Sequence, residues 1–376
     1  MIVSNRFRPK LDTLPTDVVA LGDYDRLAAG FIDDPVRAWL DGGTGGLQAL
    51  DANRRAFEAF RILPRVLVDG TQGHTRTSLF GQPLAHPLLL APIGYQRLLH
   101  PEGEMEAARG ALDTPLVISS FASQPIAEIA RAASSPTWFQ LYLQPERAQS
   151  LALVRAAEDA GCTALVLTLD VPVKPASHAA LKAGFRLPDD VAAVNLAGFA
   201  PAAPVVVPPG ESLILRGMMR YAPRPEDLTW LRSVTSLPIV AKGILHPDDA
   251  RHVMALGCDG IVVSNHGGRA LEDAPAALTM LPAIRAALGP SVPVLVDGGF
   301  RSGGDVFKAL ALGADAVMVG RPYAKGLAVA GALGVAHVLK LLREDLELTM
   351  ALAGCPTLAA ISPAALLPSA PGGLPC

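Results

Sequence analysis

The chain has 376 residues, half of them hydrophobic and 18% charged, with a formal net charge of −3 and a mean hydropathy of +0.33. The apolar residues fall in short runs broken by Gly, Pro or charge, well short of the roughly 20 needed to span a bilayer, so no membrane partner is expected. A pI near 6.2, 5% aromatics and no Lys/Arg run argue against nucleic acid and leave a small-molecule partner.

The opening stretch MIVSNRFRPKLDTLP lacks the basic start, continuous apolar core and small-residue cleavage site of a secretory signal, so a cytoplasmic location is expected. Cys162, Cys258, Cys355 and Cys376 lie far apart with no CxxC pair and no His at ligand spacing. They read as reduced thiols, and no metal is expected.

Residues 1–86 carry three helical patterns, DYDRLAAGF, PVRAWLDGG and LQALDANRRAFEAF, and after them TRTSLFGQPL, which reads as a hairpin. This segment is expected to cap the rest of the chain rather than to form an independent domain. From residue 87 to 376, short apolar runs alternate with amphipathic stretches, the pattern of βα units around a parallel sheet. The runs are 87–93, 115–120, 138–143, 163–170, 238–244, 260–265, 293–299 and 316–322. Eight such units predict an α/β fold of the (β/α)₈ TIM-barrel type. Residues 171–224, between the fourth and fifth runs, are too long for one connection and include GFAPAAPVVVPPGES, so they predict an excursion over the barrel mouth, disordered in part.

Barrel active sites lie at the C-terminal ends of the strands. The polar residues there include Pro92 and Gly94, Ser119, Gln140 and Tyr142, Thr168 and Asp170, Lys242, Ser264 through Arg269, Asp297, Gly299 and Arg301, and Gly320 with Arg321. DGGFRSGGD and GRP combine glycines with arginines at the usual barrel phosphate position, which predicts a phosphate-bearing ligand. SNHGGR places an imidazole to move a proton and a guanidinium to hold an anion on one loop, with Asp170 available to the imidazolium. Lys242 closes an otherwise apolar strand, so it must face an anion or an electron-rich ring; a salt bridge to a strand-end Asp would also explain it.

These pieces, with APIGYQRLLHPEGE, FQLY, LTLDVP, LPIVAKGI and REDLELTMALAGC in order, resemble the FMN-dependent 2-hydroxy acid oxidases and dehydrogenases over nearly the whole chain. That family includes glycolate oxidase, lactate oxidase, lactate monooxygenase, mandelate dehydrogenase and hydroxymandelate oxidase. The resemblance implies FMN as cofactor. It implies that Pro92, Gly94, Ser119, Gln140 and Thr168 contact the ring and that Lys242 stabilises charge on it. Asp297, Gly299, Arg301, Gly320 and Arg321 would hold the ribityl phosphate, with Ser264 on the cofactor side. It further implies His266 as catalytic base supported by Asp170, with Tyr142 near the substrate oxygen, Arg269 on its carboxylate and a homotetrameric assembly.

Four departures fall on the substrate side. The family pattern Asp-x-Pro-x-x-Gly-x-Arg reads Asp170-Val-Pro172-Val-Lys174-Pro175-Ala-Ser177 here, so Ser177 replaces the carboxylate-binding Arg. Trp39 replaces Tyr or Phe, Phe121 stands where the plant enzyme has Trp, and Ala270 follows SNHGGR where Gln is usual. Gly94 stands where family oxidases often carry Ala. Loss of one bidentate clamp would weaken binding of a small 2-hydroxy carboxylate by roughly 2 to 4 kcal/mol. Two readings are open: Lys174 or His178 supplies the missing cation, or the substrate carries a masked carboxylate. Other chemistries on the same flavin site are an oxidative decarboxylation or an isomerisation, and a non-catalytic scaffold is the remaining class.

Overall fold

The computed structural model describes residues 7–200 and 205–369. Residues 201–204, inside the Pro-rich stretch read as partly disordered, and Cys376 lie outside the described residues. Eight parallel strands close into a barrel. They are β1 (Leu88–Leu90), β2 (Leu116–Ser119), β3 (Thr137–Leu141), β4 (Leu165–Thr168), β5 (Ile239–Ile244), β6 (Gly260–Val263), β7 (Val294–Asp297) and β8 (Ala316–Val319). Each coincides with one of the eight runs identified from sequence, and β8 returns to pair with β1.

Side chains alternate across each strand, and here the alternation sorts two cores. One set, including Leu88, Leu90, Leu116, Ile118, Phe139, Leu165, Leu167, Ile261, Val294 and Val317, packs outward under the helices. The other, Leu89, Ala91, Val117, Trp138, Ala164, Val166, Val240, Val262, Leu295, Ala316 and Met318, fills the barrel interior. Continuing the inward parity one step toward the C-terminal ends gives Ser119, Gln140, Thr168, Lys242, Ser264 and Asp297, all buried. The interior is thus a hydrocarbon plug with one polar layer on top.

The N-terminal segment contributes to both ends of this plug. The hairpin Thr77–Leu79 and Gln82–Leu84 turns through Phe80 and Gly81, both at positive φ, as a two-residue primed turn requires. Its Leu79 and Leu84 join the interior cluster, and Phe80 packs on Trp138 at 5.6 Å between ring centroids. The helices Leu21–Ala28, Asp34–Asp41 and Gln48–Arg55 agree with the three helical patterns. Asp34–Asp41 brings Trp39 and Leu40 to the opposite, C-terminal mouth. Strand Phe60–Ile62 pairs with Leu366–Pro368 and ties this segment to the far end of the barrel domain.

Helix Arg321–Ala353 is long and apolar enough, by length and composition, to cross a bilayer, which the short-run reading of the sequence did not anticipate. It is interrupted by non-helical backbone at Ala330 and Gly331, and 67% of its most apolar window is buried in the protein. Its composition therefore answers to packing against the helices Gly103–Ala111, Leu21–Ala28 and Gly303–Ala311.

Trp138 is among the largest fully buried side chains and the hinge between hairpin and plug. Trp138→Ala is expected to cost about 3–5 kcal/mol in equilibrium urea unfolding. A loss under about 1 kcal/mol would show that the hairpin does not close the barrel energetically.

Candidate functional site

A cavity of about 760 Å³ opens at the C-terminal ends of the strands, within the size of small-molecule sites. Ser119, Gln140, Thr168, Lys242 and Asp297 form its floor; Pro92, Gly94, Gly299, Arg301, Gly320 and Arg321 line one side; Trp39, Phe121, Tyr142, Ser177, His266 and Arg269 line the other. Two residues expected at the site lie outside its wall. Ser264 is fully buried, accepting hydrogen bonds from Lys242 Nζ (2.9 Å) and from the His266 amide (3.0 Å). Asp170 stands behind His266, its Oδ1 at 2.9 Å from His266 Nδ1. In both cases the strand-end position is right, but a neighbouring side chain covers the residue.

The floor carries two bonded groups, Ser119–Gln140–Thr168 and Ser264–Lys242–Asp297. Gln140 Nε2 donates to Thr168 Oγ1 at 3.1 Å, and Ser119 Oγ donates to Gln140 Oε1 at 3.2 Å. Lys242 Nζ lies 2.9 Å from Asp297 Oδ2. Burial alone would lower the lysine's pKa, but the charges of Asp297 and Asp170 outweigh it and raise the value above the ordinary one. Among the described residues Asp297 Oδ1 is buried without a partner, so it remains an acceptor for a hydroxyl of a bound molecule.

His266 sits in left-handed backbone, φ +59°, a conformation unusual for a non-glycine and stabilised by its amide bond to Ser264. The Asp170 contact fixes the imidazole with Nδ1 toward the carboxylate, leaving Nε2 to face the cavity, 3.5 Å from Tyr142 Oη. For Asp170, burial opposes ionisation, yet the charge and hydrogen bond of His266 and the charge of Lys242 hold its pKa below the ordinary value. Burial, reinforced by the Asp170 charge, pushes the Tyr142 phenol up, so it remains protonated and able to donate.

Asp170 reaches this position because β5 bulges between Lys242 and Ile244. Gly243, φ +100°, has Asp170 so close that a Cβ would stand 2.4 Å from Asp170 Cβ and 2.5 Å from Cγ. A strained glycine on one strand is what admits the carboxylate from the next.

The cations of the rim are bound by an element whose role the sequence did not disclose. Arg269 Nη1 donates to the carbonyls of Trp39 (2.8 Å), Leu40 (3.3 Å) and Gly42 (2.7 Å), with its guanidinium over the Trp39 ring at 5.5 Å. Arg321 donates to the Leu40 (2.9 Å), Gly42 (2.8 Å) and Gly267 (3.0 Å) carbonyls. Both arginines dock on the C-terminal end of helix Asp34–Asp41, where unpaired carbonyls and the helix dipole favour positive charge. Burial and the nearby Arg269 and Arg301 nevertheless pull Arg321 down to about 9. Burial lowers Arg301 as well. Two crowded, desolvated guanidiniums on one wall are suited to an added anion.

Other contributors went unnoticed in the sequence. Asn53, on a helix read as generic, makes a double amide pair with Asn265 (2.8 and 3.0 Å) and so braces the His266 loop. Phe185 stacks on Trp39 at 5.6 Å, and Tyr95 stacks on Phe121 at 5.7 Å. A Cβ on Gly94 would meet Phe121 Cβ at 2.7 Å, so the glycine allows the ring's backbone to close in. The 171–224 excursion does reach the mouth, through residues including Val171, Pro175, Leu181 and Tyr221.

The polyol acceptor at Asp297, the cationic wall and the apolar pocket over a polar floor fit a flavin mononucleotide. A family model described as FMN-dependent dehydrogenase matches residues 28–368. An L-lactate oxidase of Alicycliphilus denitrificans is 52% identical over 360 residues, covering 95% of this chain and 99% of its own length. A 4-hydroxymandelate oxidase of Amycolatopsis orientalis is 45% identical over 347 residues, covering 91% and 96%. A crystal structure of mandelate oxidase with (S)-2-phenylpropionate superimposes with a TM-score of 0.84 at 42% identity, covering 93% of this chain and 98% of that one.

Gly243→Ala tests the bulge. The added methyl at positive φ is expected to cost about 1–3 kcal/mol of stability and to displace Asp170. The downfield imidazole N–H resonance of His266 in the proton NMR spectrum should then disappear; its survival would mean that Asp170 is held by something other than the bulge.

Proposed function

The chain belongs to the FMN-dependent dehydrogenase family and oxidises 2-hydroxy acids at the CH–OH group, and we propose that His266 Nε2 is the base that does so. The observation that carries this is the imidazole fixed by Asp170 at 2.9 Å with its other nitrogen facing the cavity beside Tyr142.

FMN, when bound, would supply the acceptor for the two electrons and the second hydrogen removed from the substrate. Ser119, Gln140, Thr168 and Lys242, with the backbone at Pro92 and Gly94, would hold its ring over the floor. Asp297, Gly299, Arg301, Gly320 and Arg321 would hold the ribityl phosphate. His266 takes a proton from the CH–OH unit at Nε2, and the Asp170 carboxylate stabilises the imidazolium that results, as such orienting carboxylates do. Tyr142 donates to the substrate oxygen. Arg269, already oriented by three carbonyls through Nη1, keeps Nε and Nη2 free of hydrogen bonds among the described residues and directs charge at the substrate carboxylate. The product is the 2-oxo acid.

The aromatic wall of Trp39, Phe121 and Tyr142, extended by Tyr95 and Phe185, favours a 2-hydroxy acid with an apolar substituent. Relatives named for lactate and for 4-hydroxymandelate bracket the size range to be tried. A homotetramer is part of the proposal. It is supported by exposed Leu63, Val66, Leu67, Leu348 and Leu352 on neighbouring segments, where Arg65 and Val68 meet Gly354. A cytoplasmic location is supported by the free thiols of Cys162, Cys258 and Cys355.

The test is anaerobic mixing of FMN-loaded protein with a panel running from lactate to mandelate, with flavin absorbance as the readout. Wild type is expected to bleach. His266→Ala is expected to bleach about 10²–10⁴-fold more slowly with unchanged flavin content. Equal rates in the two proteins would remove His266 from the role of base.

A further inference from the structure

Lys174 and Arg269 both line the cavity, and among the described residues neither makes an ion pair with a carboxylate. Lys174 lines the cavity on the excursion after β4, and among the described residues its ammonium makes no hydrogen bond or ion pair. Lys174 is an exposed residue on the same cavity wall as Arg269, where partial burial of its ammonium and then the Arg269 charge lower its pKa below the ordinary value. Arg269 uses only Nη1 on protein carbonyls. The two positive groups repel each other, and one small anion between them would satisfy both.

The neighbouring candidates are otherwise engaged. Ser177 Oγ caps the helix His178–Lys182 by accepting from the Ala180 amide at 3.4 Å, and it carries no charge. His178 is exposed and does not border the cavity. Arg321 is committed to three carbonyls on the cofactor side.

We infer that Lys174 is the specificity-determining residue for free acids in this chain, gripping the substrate carboxylate together with Arg269 and taking the place in the site that Ser177 leaves without a cation. The inference rests on the 2-hydroxy acid reading of the cavity. It chooses a free carboxylate over a masked one, with Lys174 acting as a point charge on a flexible stem rather than as a bidentate fork.

The experiment compares FMN-loaded wild type, Lys174→Met and Lys174→Arg with mandelate and with methyl mandelate, and titrates each protein with oxalate, a non-reacting dianion, by the change in flavin absorbance. Lys174→Met is expected to raise the KM for mandelate and the Kd for oxalate by about 10- to 100-fold. Its kcat and its KM for the methyl ester should stay near the wild-type values, and Lys174→Arg should restore most of the loss. Equal damage to acid and ester would assign Lys174 a structural role and overturn the inference. No change with either compound would leave Arg269 as the sufficient clamp and overturn it too. Wild type bleaching with the ester but not the acid would overturn it while the oxidase reading stands. Oxalate binding that depends on Lys174, in a protein that oxidises no member of the panel, would support the anion clamp and sink the oxidase reading instead.

Discussion

Lys242 is the constraint on which the rest of the site depends. A primary ammonium inside a barrel is costly unless its charge is answered in place, and the answer here is Asp297 at 2.9 Å, the Ser264 hydroxyl at 2.9 Å and the more distant Asp170. Each of these neighbours has a second duty. Asp297 presents a free oxygen to the cavity, Ser264 pins the His266 amide, and Asp170 orients the imidazole. Removing the lysine would leave buried carboxylates uncompensated, so the cavity floor and His266 are coupled electrostatically through one side chain.

The second dependence runs through the N-terminal segment. An eight-residue helix, Asp34–Asp41, turns its C-terminal carbonyls toward the mouth, and two half-buried arginines dock there. Lys325 joins its last residue, Asp41, at 2.7 Å and reaches Asp25 at 2.5 Å. Without that helix end the rim would be a cluster of desolvated like charges. With it, Arg269 and Arg321 share the Leu40 and Gly42 carbonyls as fixed acceptors and are held side by side. The segment that reads in sequence as a cap is therefore part of the site's electrostatics.

Much of this was legible in the sequence because strand period and barrel geometry are local rules. The eight apolar runs coincide with the eight strands, and in six of them the inward parity carries a polar residue near the end of the run to the top layer, as at Gln140, Thr168, Lys242 and Asp297. What was not legible depends on atoms brought together from distant segments. Nothing in PIVAKGI announces that Gly243 is a bulge shaped around Asp170, and nothing in LDANRRAF marks Asn53 as the partner of Asn265, 212 positions away. Ser264 illustrates the converse: its strand-end position suggested a cofactor contact, yet Lys242 and the His266 loop enclose it.

The distribution of the departures from the family pattern has a physical basis in the same architecture. The cofactor floor is built from strand residues whose directions are fixed by barrel closure, so a change at Gln140 or Lys242 would disturb packing on both sides of the layer. The substrate wall is built from Trp39 at a helix end, Phe121 after β2, and Lys174, Ser177 and Phe185 on the excursion after β4, none of them in the sheet. Loop residues can exchange ring for ring or move a cation a few positions along the chain without altering the barrel. Trp39 stacks on Phe185 and Phe121 stacks on Tyr95, so each replaced ring is packed against a second aromatic. A barrel that fixes the cavity floor in its strands and leaves the wall of Trp39, Phe121 and Lys174 to its loops can alter that wall while keeping the floor.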